Sequence, residues 1–393
     1  MNNLIQQAKE LEPEIIRWRR HIHQNPEVSA VLPNTCAYVA EELKKMGYQP
    51  IEVGGGVVAV LEGKPEGKTI LLRADMDALP MAEESGEPFA SQNPQAAHTC
   101  GHDTHTAMLL GAAQLLMNNR DKVQGRVKLM FQPGEEGYNG CKNMLADGLL
   151  ENPHVDAAFG MHSAPAADYK TGMVLYSKYS YAASADAFRV TVRGRGAHGA
   201  SPESGIDPIN IIVHIHLALQ AINSRERDQR EPLILTIGQI VAGDACNIIP
   251  ESGFFTGTIR AFNQQVREHA KRRFIEIVNS VCATFGGSAE IEWTTEMAPT
   301  VNHPATTDEL LGYIAQLVGA ENMAEVPASM GSEDFSEVLL QVPGTYLNLS
   351  FGSKEEGYLY GGHHPKIRHN EEALPIGSAI HAQVAIQWLA QNS

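Results

Sequence analysis

The hydrophobic pattern along the chain changes character twice. Up to about Tyr179, short apolar runs alternate with helical stretches: VVAVL at Val57 to Leu61, ILLRADMD at Ile70 to Asp77 and VKLMF at Val127 to Phe131. Apolar runs this short, bounded by polar and glycine-containing segments, read as buried strands. Between the second and third lies TAMLLGAAQLLM, Thr106 to Met117, whose apolar residues cover nearly every face. That is the pattern of a helix buried against a sheet, and the alternation predicts an α/β domain. From about Ser184 the order becomes strand (DAFRVTVRG), helix (Asp207 to Asn223), strand (LILTIGQI), strand (GFFTGTIRAF), helix (Gln264 to Phe285) and strand (SAEIEWTT). A β-α-β-β-α-β string predicts a ferredoxin-like α+β unit, a small sheet with two helices on one face. After about Met297 the α/β character returns, with a helix near Asp308 to Val318, a strand at TYLNLSF and a closing helix from Leu374 to Ala390. The pattern predicts one discontinuous α/β domain with a central mixed sheet over 1–183 and 297–393, interrupted by a smaller domain over 184–296.

Composition narrows the function classes. With 30 basic and 46 acidic residues the formal charge is −16, which repels a phosphate backbone, so nucleic acid is not an expected partner. The opening segment MNNLIQQAKELEPEIIRWRRH mixes charged and apolar residues without an apolar leader core and predicts an amphipathic helix. No apolar run approaches the ~20 residues a membrane span needs. Five cysteines, Cys36, Cys100, Cys141, Cys246 and Cys282, are odd in number and form no CxxC pair, which points to a reducing, cytoplasmic setting. Cys141 and Cys282 read as buried core thiols.

Four segments carry candidate chemistry. In HTCGHDTHTA, Cys100 and His102 are separated by one glycine, so a thiolate and an imidazole can converge on a transition metal from a tight turn. A helix start with a buried cysteine and incidental histidines fits the same residues equally well. QPGEEGYNG begins where the VKLMF strand ends, and strand carboxyl ends are where open α/β sheets bind ligands. In an extended segment Glu135 and Glu136 point to opposite sides, which divides labour between a metal ligand and a base. A solvated acidic turn is the simpler reading of such a pair alone. His162 closes the apolar strand AAFGM, and His363 and His364 sit in GGHHP. Taken singly, each is a satisfied or exposed histidine. Taken together, one cysteine, three histidines and one glutamate suit two divalent ions, with a second glutamate remaining as general base.

These segments, in this order, resemble the aminoacylase/carboxypeptidase G superfamily of two-metal amidohydrolases. The subgroup is that of hippurate hydrolases, N-acyl-amino-acid amidohydrolases and plant auxin-conjugate hydrolases. The similarity runs nearly end to end, through RRHIHQNPEVS, RADMDALPM, HTCGHDTHTAMLLGAA, FQPGEEG, GMH, GRGAHGASPESGIDP, GTIRAF, GSEDFS and HHPKIRHNEEALPIG. The resemblance implies Cys100, His102, Glu136, His162 and His363 as ligands of two divalent ions, zinc or manganese first, with nickel or cobalt also suited. The resemblance favours His363 over His364 because the family's ligand precedes a variable residue and then proline, as in His363-His364-Pro365. Glu135 is implied as acid/base on the attacking water in hydrolysis of the amide bond of an N-acyl amino acid or a dipeptide.

Asp75 and Asp77 are expected to orient ligand imidazoles, and Asp334 to shape the site. The inserted domain is implied to form a homodimer contact and to send His198 to the partner's site as a donor to the developing oxyanion. Asn247 and Arg260 are implied to hold the substrate carboxylate. His21 and His23 read as packing or helix-terminus residues, and Ile367 and His369 as a change in the pocket wall near His363. A cysteine amidase using Cys100 with His102 as its base, and a binding protein without activity, are the rival classes. A zinc deaminase is disfavoured because the Pro-Cys-x-x-Cys signature is absent.

Overall fold

The computed structural model describes residues 4–64 and 67–392 and divides into two compact units. The larger comprises Met1–Tyr181, Asn302–Pro327 and Glu337–Ser393. Its sheet has eight strands, in the order Ile51–Val53, Gly56–Glu62, Arg126–Gln132, Thr69–Asp75, Ala157–Ala164, Gly344–Ser350, Val174–Tyr176 and Met323–Glu325. The sheet is mixed. Arg126–Gln132, Thr69–Asp75, Ala157–Ala164 and Gly344–Ser350 run parallel at its centre, Gly56–Glu62 pairs antiparallel to both neighbours, and Val174–Tyr176 pairs antiparallel to Gly344–Ser350 but parallel to Met323–Glu325. Parallel strands put their carboxyl ends on one edge, so the residues following Asp75 and Gln132 and those at the end of Ala157–Ala164 meet there.

Strand Thr69–Asp75 is buried at every residue, as a central parallel strand covered on both faces must be. Helix His102–Asn118 is buried nearly all round and packs against the closing helix Leu374–Asn392, also apolar on most faces. Leu109, Leu110, Leu115, Ile380 and Val384 are fully buried in one core cluster, and each such side chain contributes about 1.5–3 kcal/mol relative to exposure. The predicted N-terminal helix is broken into Leu4–Glu10 and Glu12–Gln24. Pro13, in the first turn of the second helix, has no N–H to continue the first. The first three residues of that prediction lie outside the described residues.

The smaller unit comprises Ala182–Val301 and Ala328–Ser336. Its antiparallel sheet runs in the order Leu233–Ala242, Ser252–Ala261, Ala185–Arg193 and Ser288–Met297. Helices Pro208–Ala221 and Gln264–Thr284 cover one face, burying Ile211, Ile215, Phe274 and Val278 against Phe188, Val190, Phe255 and Ile259. Asp207 and Asn263 cap these helices with their side-chain oxygens, which satisfies amides that have no partner within the helix. This is the ferredoxin-like arrangement expected from the element string.

Residues 328–336 cluster with this smaller unit, whereas the sequence pattern gave them to the larger one. The cause is hydrogen bonding between distant residues. Ala183 N–H donates to Ser329 O at 3.0 Å, Arg260 Nη1 to Met330 O at 3.1 Å, and Thr300 Oγ1 to Glu333 O at 3.1 Å.

Candidate metal centre

The site is assembled at the carboxyl edge of the large sheet. Just beyond strand Thr69–Asp75, Asp77 is buried and accepts two backbone N–H groups, from Glu135 to Oδ1 and from Glu136 to Oδ2, each at 3.0 Å. Both carboxylate oxygens are therefore spent on one turn. The Glu135–Glu136 segment is not extended, as the sequence reading assumed. It is a turn flanked by Gly134 (φ 66°) and Gly137 (φ 85°), where a left-handed backbone suits glycine. Glu136 Oε1 faces His363 Nε2 at 3.2 Å. His363 has φ 64°, and its N–H donates to Thr99 O at 2.7 Å, which ties this loop to the residue before Cys100. His364 points elsewhere, stacking on Tyr360 with ring centroids 4.2 Å apart.

Gly101 (φ 91°) precedes helix His102–Asn118 and separates Cys100 from His102. Cys100 Sγ lies 3.4 Å from His162 Nε2. His162 sits within strand Ala157–Ala164 rather than after it, and its Nδ1 donates to Ser163 O at 2.7 Å. His102 Nδ1 lies 3.3 Å from Asp77 Oδ1 and its Nε2 3.5 Å from Asp75 Oδ2, yet neither nitrogen of this buried ring completes a hydrogen bond. Donor atoms of Cys100, His102 and His162 lie within 4.8 Å of one another, as do those of Cys100, Glu136 and His363. A further grouping at this spacing joins His102 with Glu135 and Glu136.

The electrostatics suit a cation. Burial pushes the Cys100 thiol up to about 12 and lowers His162 to about 3, so without a positive charge the thiol stays protonated and the imidazole neutral. A soft sulfur, imidazoles and a carboxylate, converging where one imidazole has no hydrogen bond, fit transition-metal ions.

Asp75 pairs with Arg73 (2.9 Å) and with His105 Nδ1 (2.5 Å). Sequence reading missed His105, Ser163 and the role of His369. The available signal was the spacing of His105, three residues after His102 and so on the same helical face. His369 lies beside Ser163. It is buried, with Nε2 3.3 Å from Ser163 Oγ, and Ile367 is buried as well.

In the smaller unit, a two-stranded ribbon pairs His198 with Ile248 and brings Asn247 beside it, with Gly199 N–H donating to Asn247 O at 2.8 Å. His198 Nδ1 accepts the Ala200 N–H at 3.0 Å, which leaves the ring proton on Nε2. Arg260 lies on strand Ser252–Ala261, bonded to Met330 O rather than to Asn247. Asp334 is buried in the 328–336 segment of this unit. All five cysteines are free thiols, with Cys141 and Cys282 buried.

His23 does more than pack. Its Nδ1 is 2.8 Å from Asp103 Oδ2 and its Nε2 3.1 Å from Glu83 Oε1, while Arg19 Nε donates to the same Asp103 oxygen at 3.0 Å. The network therefore anchors the residue after His102. Burial alone would lower His23, but Asp103 and Glu83 outweigh it and raise the imidazole to about 9. Its folded-state value lies above the unfolded value of about 6.5. The contribution is therefore complete below about pH 6.5 and lost as pH rises through 9, and amounts to about 3 kcal/mol. Urea unfolding at pH 6, 7.5 and 9 is expected to show the gap between wild type and His23→Gln closing across this window. Parallel stability profiles would refute the assignment.

At this sheet edge the start of helix His102–Asn118, strand Ala157–Ala164 and two loops bring together cysteine, histidine and glutamate donors, a set suited to a metal-dependent hydrolase. A model of peptidase family M20/M25/M40 matches residues 71–387, and the chain belongs to that family. It is 39% identical to thermostable carboxypeptidase 2 of Saccharolobus solfataricus, over 97% of each chain. It is 37% identical to an N-acetyl-L-cysteine deacetylase of Bacillus subtilis, over 97% of this chain and 90% of the relative. A Bacillus subtilis crystal structure described as a dinuclear metal binding peptidase from the M20 family superposes with a TM-score of 0.83 at 29% identity, covering 97% of this chain and 99% of that one. No described helix is long and apolar enough to cross a membrane.

Proposed function

We propose that this hydrolase cleaves the amide bond of N-acyl amino acids, hippurate-like or N-acetylated, releasing a carboxylic acid and a free amino acid. The observation that carries the reading is that two donor triads, Cys100/His102/His162 and Cys100/Glu136/His363, share the Cys100 sulfur, while Glu135 stands outside both. Cys100, His102, Glu136, His162 and His363 would hold two divalent ions, zinc or manganese before nickel or cobalt. Bound at these residues, such ions supply Lewis-acid polarisation of the scissile carbonyl and acidify water. Glu135 takes a proton from the attacking water as oxygen adds to the carbonyl carbon. It then delivers the proton to the amide nitrogen as the C–N bond breaks. Asp77 keeps the two glutamates in these separate roles by holding both of their backbone N–H groups.

His198, with its proton on Nε2, is suited to donate to the developing oxyanion. Asn247 and Arg260 are assigned to the substrate carboxylate. The names of relatives support both deacetylase and carboxypeptidase chemistry, and a dipeptide would be cleaved by the same steps. Five free cysteines suit a reducing, cytoplasmic compartment. The deciding assay offers N-acetyl, N-benzoyl and N-aminoacyl amino acids to metal-stripped protein with and without manganese or zinc, with products identified by mass spectrometry. Metal-dependent release of free amino acid is expected. Equal turnover without metal would defeat the reading in favour of a cysteine amidase.

The smaller unit is proposed to pair two copies of the chain. Helix Pro208–Ala221 exposes Ile209, Val213 and Leu217 at four-residue spacing, and the sheet's edge strand Leu233–Ala242 exposes Ile240 and Val241. An unpaired edge beside an apolar stripe is a site for association. Light scattering of wild type is expected to give twice the mass of the chain, and Val213→Glu with Leu217→Glu to halve it. A monomeric wild type would rule the pairing out.

A further inference from the structure

His105 is fully buried and takes part in neither donor triad of the proposed function, yet it is bonded at both ring nitrogens. Its Nε2 receives the Ser163 backbone N–H at 2.8 Å. An amide N–H can only donate, so Nε2 carries a lone pair, the ring proton is on Nδ1, and that proton is given to Asp75 Oδ1 at 2.5 Å. The tautomer is thus set by the backbone. With its Nε2 lone pair occupied and its Nδ1 protonated, His105 has no lone pair left for a metal, although Asp75, His102 and His105 stand at ligand-like spacing.

Ser163 is the residue after His162. Its N–H is held by His105, and its carbonyl accepts the Nδ1–H of His162 at 2.7 Å. That second bond leaves His162 Nε2 with its lone pair facing Cys100 Sγ. A continuous chain therefore runs from the Asp75 carboxylate through the His105 ring to both polar ends of Ser163, and from there to the His162 imidazole. Asp75 is itself held by Arg73 Nη1 at 2.9 Å. Space around the chain is fully used. A Cβ at Gly101 would lie 2.3 Å from Ser163 Oγ and 2.6 Å from His369 Nε2, so only glycine fits beside Cys100.

We infer that His105 is a positioning residue for metal binding, clamping Ser163 so that His162 presents Nε2 to the ion it shares with Cys100 and His102. The inference rests on the reading of His162 as a ligand. Partners one step behind metal ligands commonly change affinity by about 10–100-fold when removed. His105 acts on one triad only, because Glu136 and His363 are held by Asp77 and by Thr99 O instead.

The test is a cobalt(II) titration of metal-stripped protein, following the thiolate-to-cobalt absorption and the two binding constants, with circular dichroism of each stripped variant as a check on folding. His105→Phe keeps the ring without its nitrogens and is expected to weaken one cobalt ion by about 10–100-fold while the other holds within about threefold. His105→Gln, whose amide can accept from Ser163 and donate to Asp75 together, is expected to stay within about threefold of wild type for both ions. A purely structural role would lower both constants alike, without rescue by glutamine, and would overturn the inference. Should His105→Phe not fold, His105→Asn replaces it. Asparagine is too short to reach both partners, and equal constants for the asparagine and glutamine variants would also overturn the inference. His162→Ala separates the two readings. If it leaves both constants unchanged the ligand assignment itself fails, whereas a weakened His162→Ala beside an unaffected His105→Phe removes the positioning role alone.

Discussion

Glu135→Gln is expected to lower kcat for the best N-acyl amino acid by about 10²–10⁴-fold, the range associated with losing a positioned general acid–base group. Glutamine keeps the size of the side chain and the backbone N–H that Asp77 accepts, so the turn should persist. What is lost is the ability to take a proton from water and return it to the leaving nitrogen. Because Glu135 lies outside both Cys100-containing triads, metal content by elemental analysis should match wild type. The expected signature is therefore an inactive enzyme that still holds its ions and still binds substrate. A variant that loses metal in proportion to activity would move Glu135 into the ligand set, and near-normal turnover would remove it from the chemistry.

Asp77→Asn should be nearly as damaging, for a different reason. Asp77 is 1% exposed and uses one oxygen for each of the Glu135 and Glu136 amides. Asparagine offers a single accepting oxygen and turns an NH₂ toward the other amide, so a buried donor faces a donor. Leaving a buried N–H unpaired costs about 1–3 kcal/mol, and the carboxylate near His102 Nδ1 disappears as well. Stability is expected to fall by about 2–4 kcal/mol. A further fall of about 10²-fold in kcat/KM follows from misplacing Glu135 and Glu136, since displacements of about 1 Å carry penalties of that size. Chemical denaturation and steady-state kinetics on one preparation would measure both. Unchanged kinetics at reduced stability would make Asp77 structural only.

Much of the architecture was legible in the sequence because its signals are local. VVAVL, ILLRADMD and VKLMF are too short and too continuously apolar for surface helices, and they form strands Gly56–Glu62, Thr69–Asp75 and Arg126–Gln132. TAMLLGAAQLLM is apolar on all sides, and it is the buried helix His102–Asn118. The β-α-β-β-α-β string became the four-stranded sheet with two helices. The candidate donors were legible too, because Cys100, His102, Glu136, His162 and His363 stand in short glycine-containing segments.

What only the tertiary structure decided is adjacency across long stretches of chain. Sequence reading placed Asp77 near the ligands, but its grip on the Glu135–Glu136 turn depends on strands Thr69–Asp75 and Arg126–Gln132 being parallel neighbours in register. The clamp of His105 on Ser163 requires the start of a helix to meet the end of strand Ala157–Ala164. The 328–336 segment joins the smaller unit through single hydrogen bonds to its carbonyls, from the Ala183 backbone and from the Arg260 and Thr300 side chains, which leave no periodicity to read. Hydrophobic alternation specifies which elements form and which faces they bury. The partner of a buried polar atom is set by sheet order and register, and those exist only once the chain has folded.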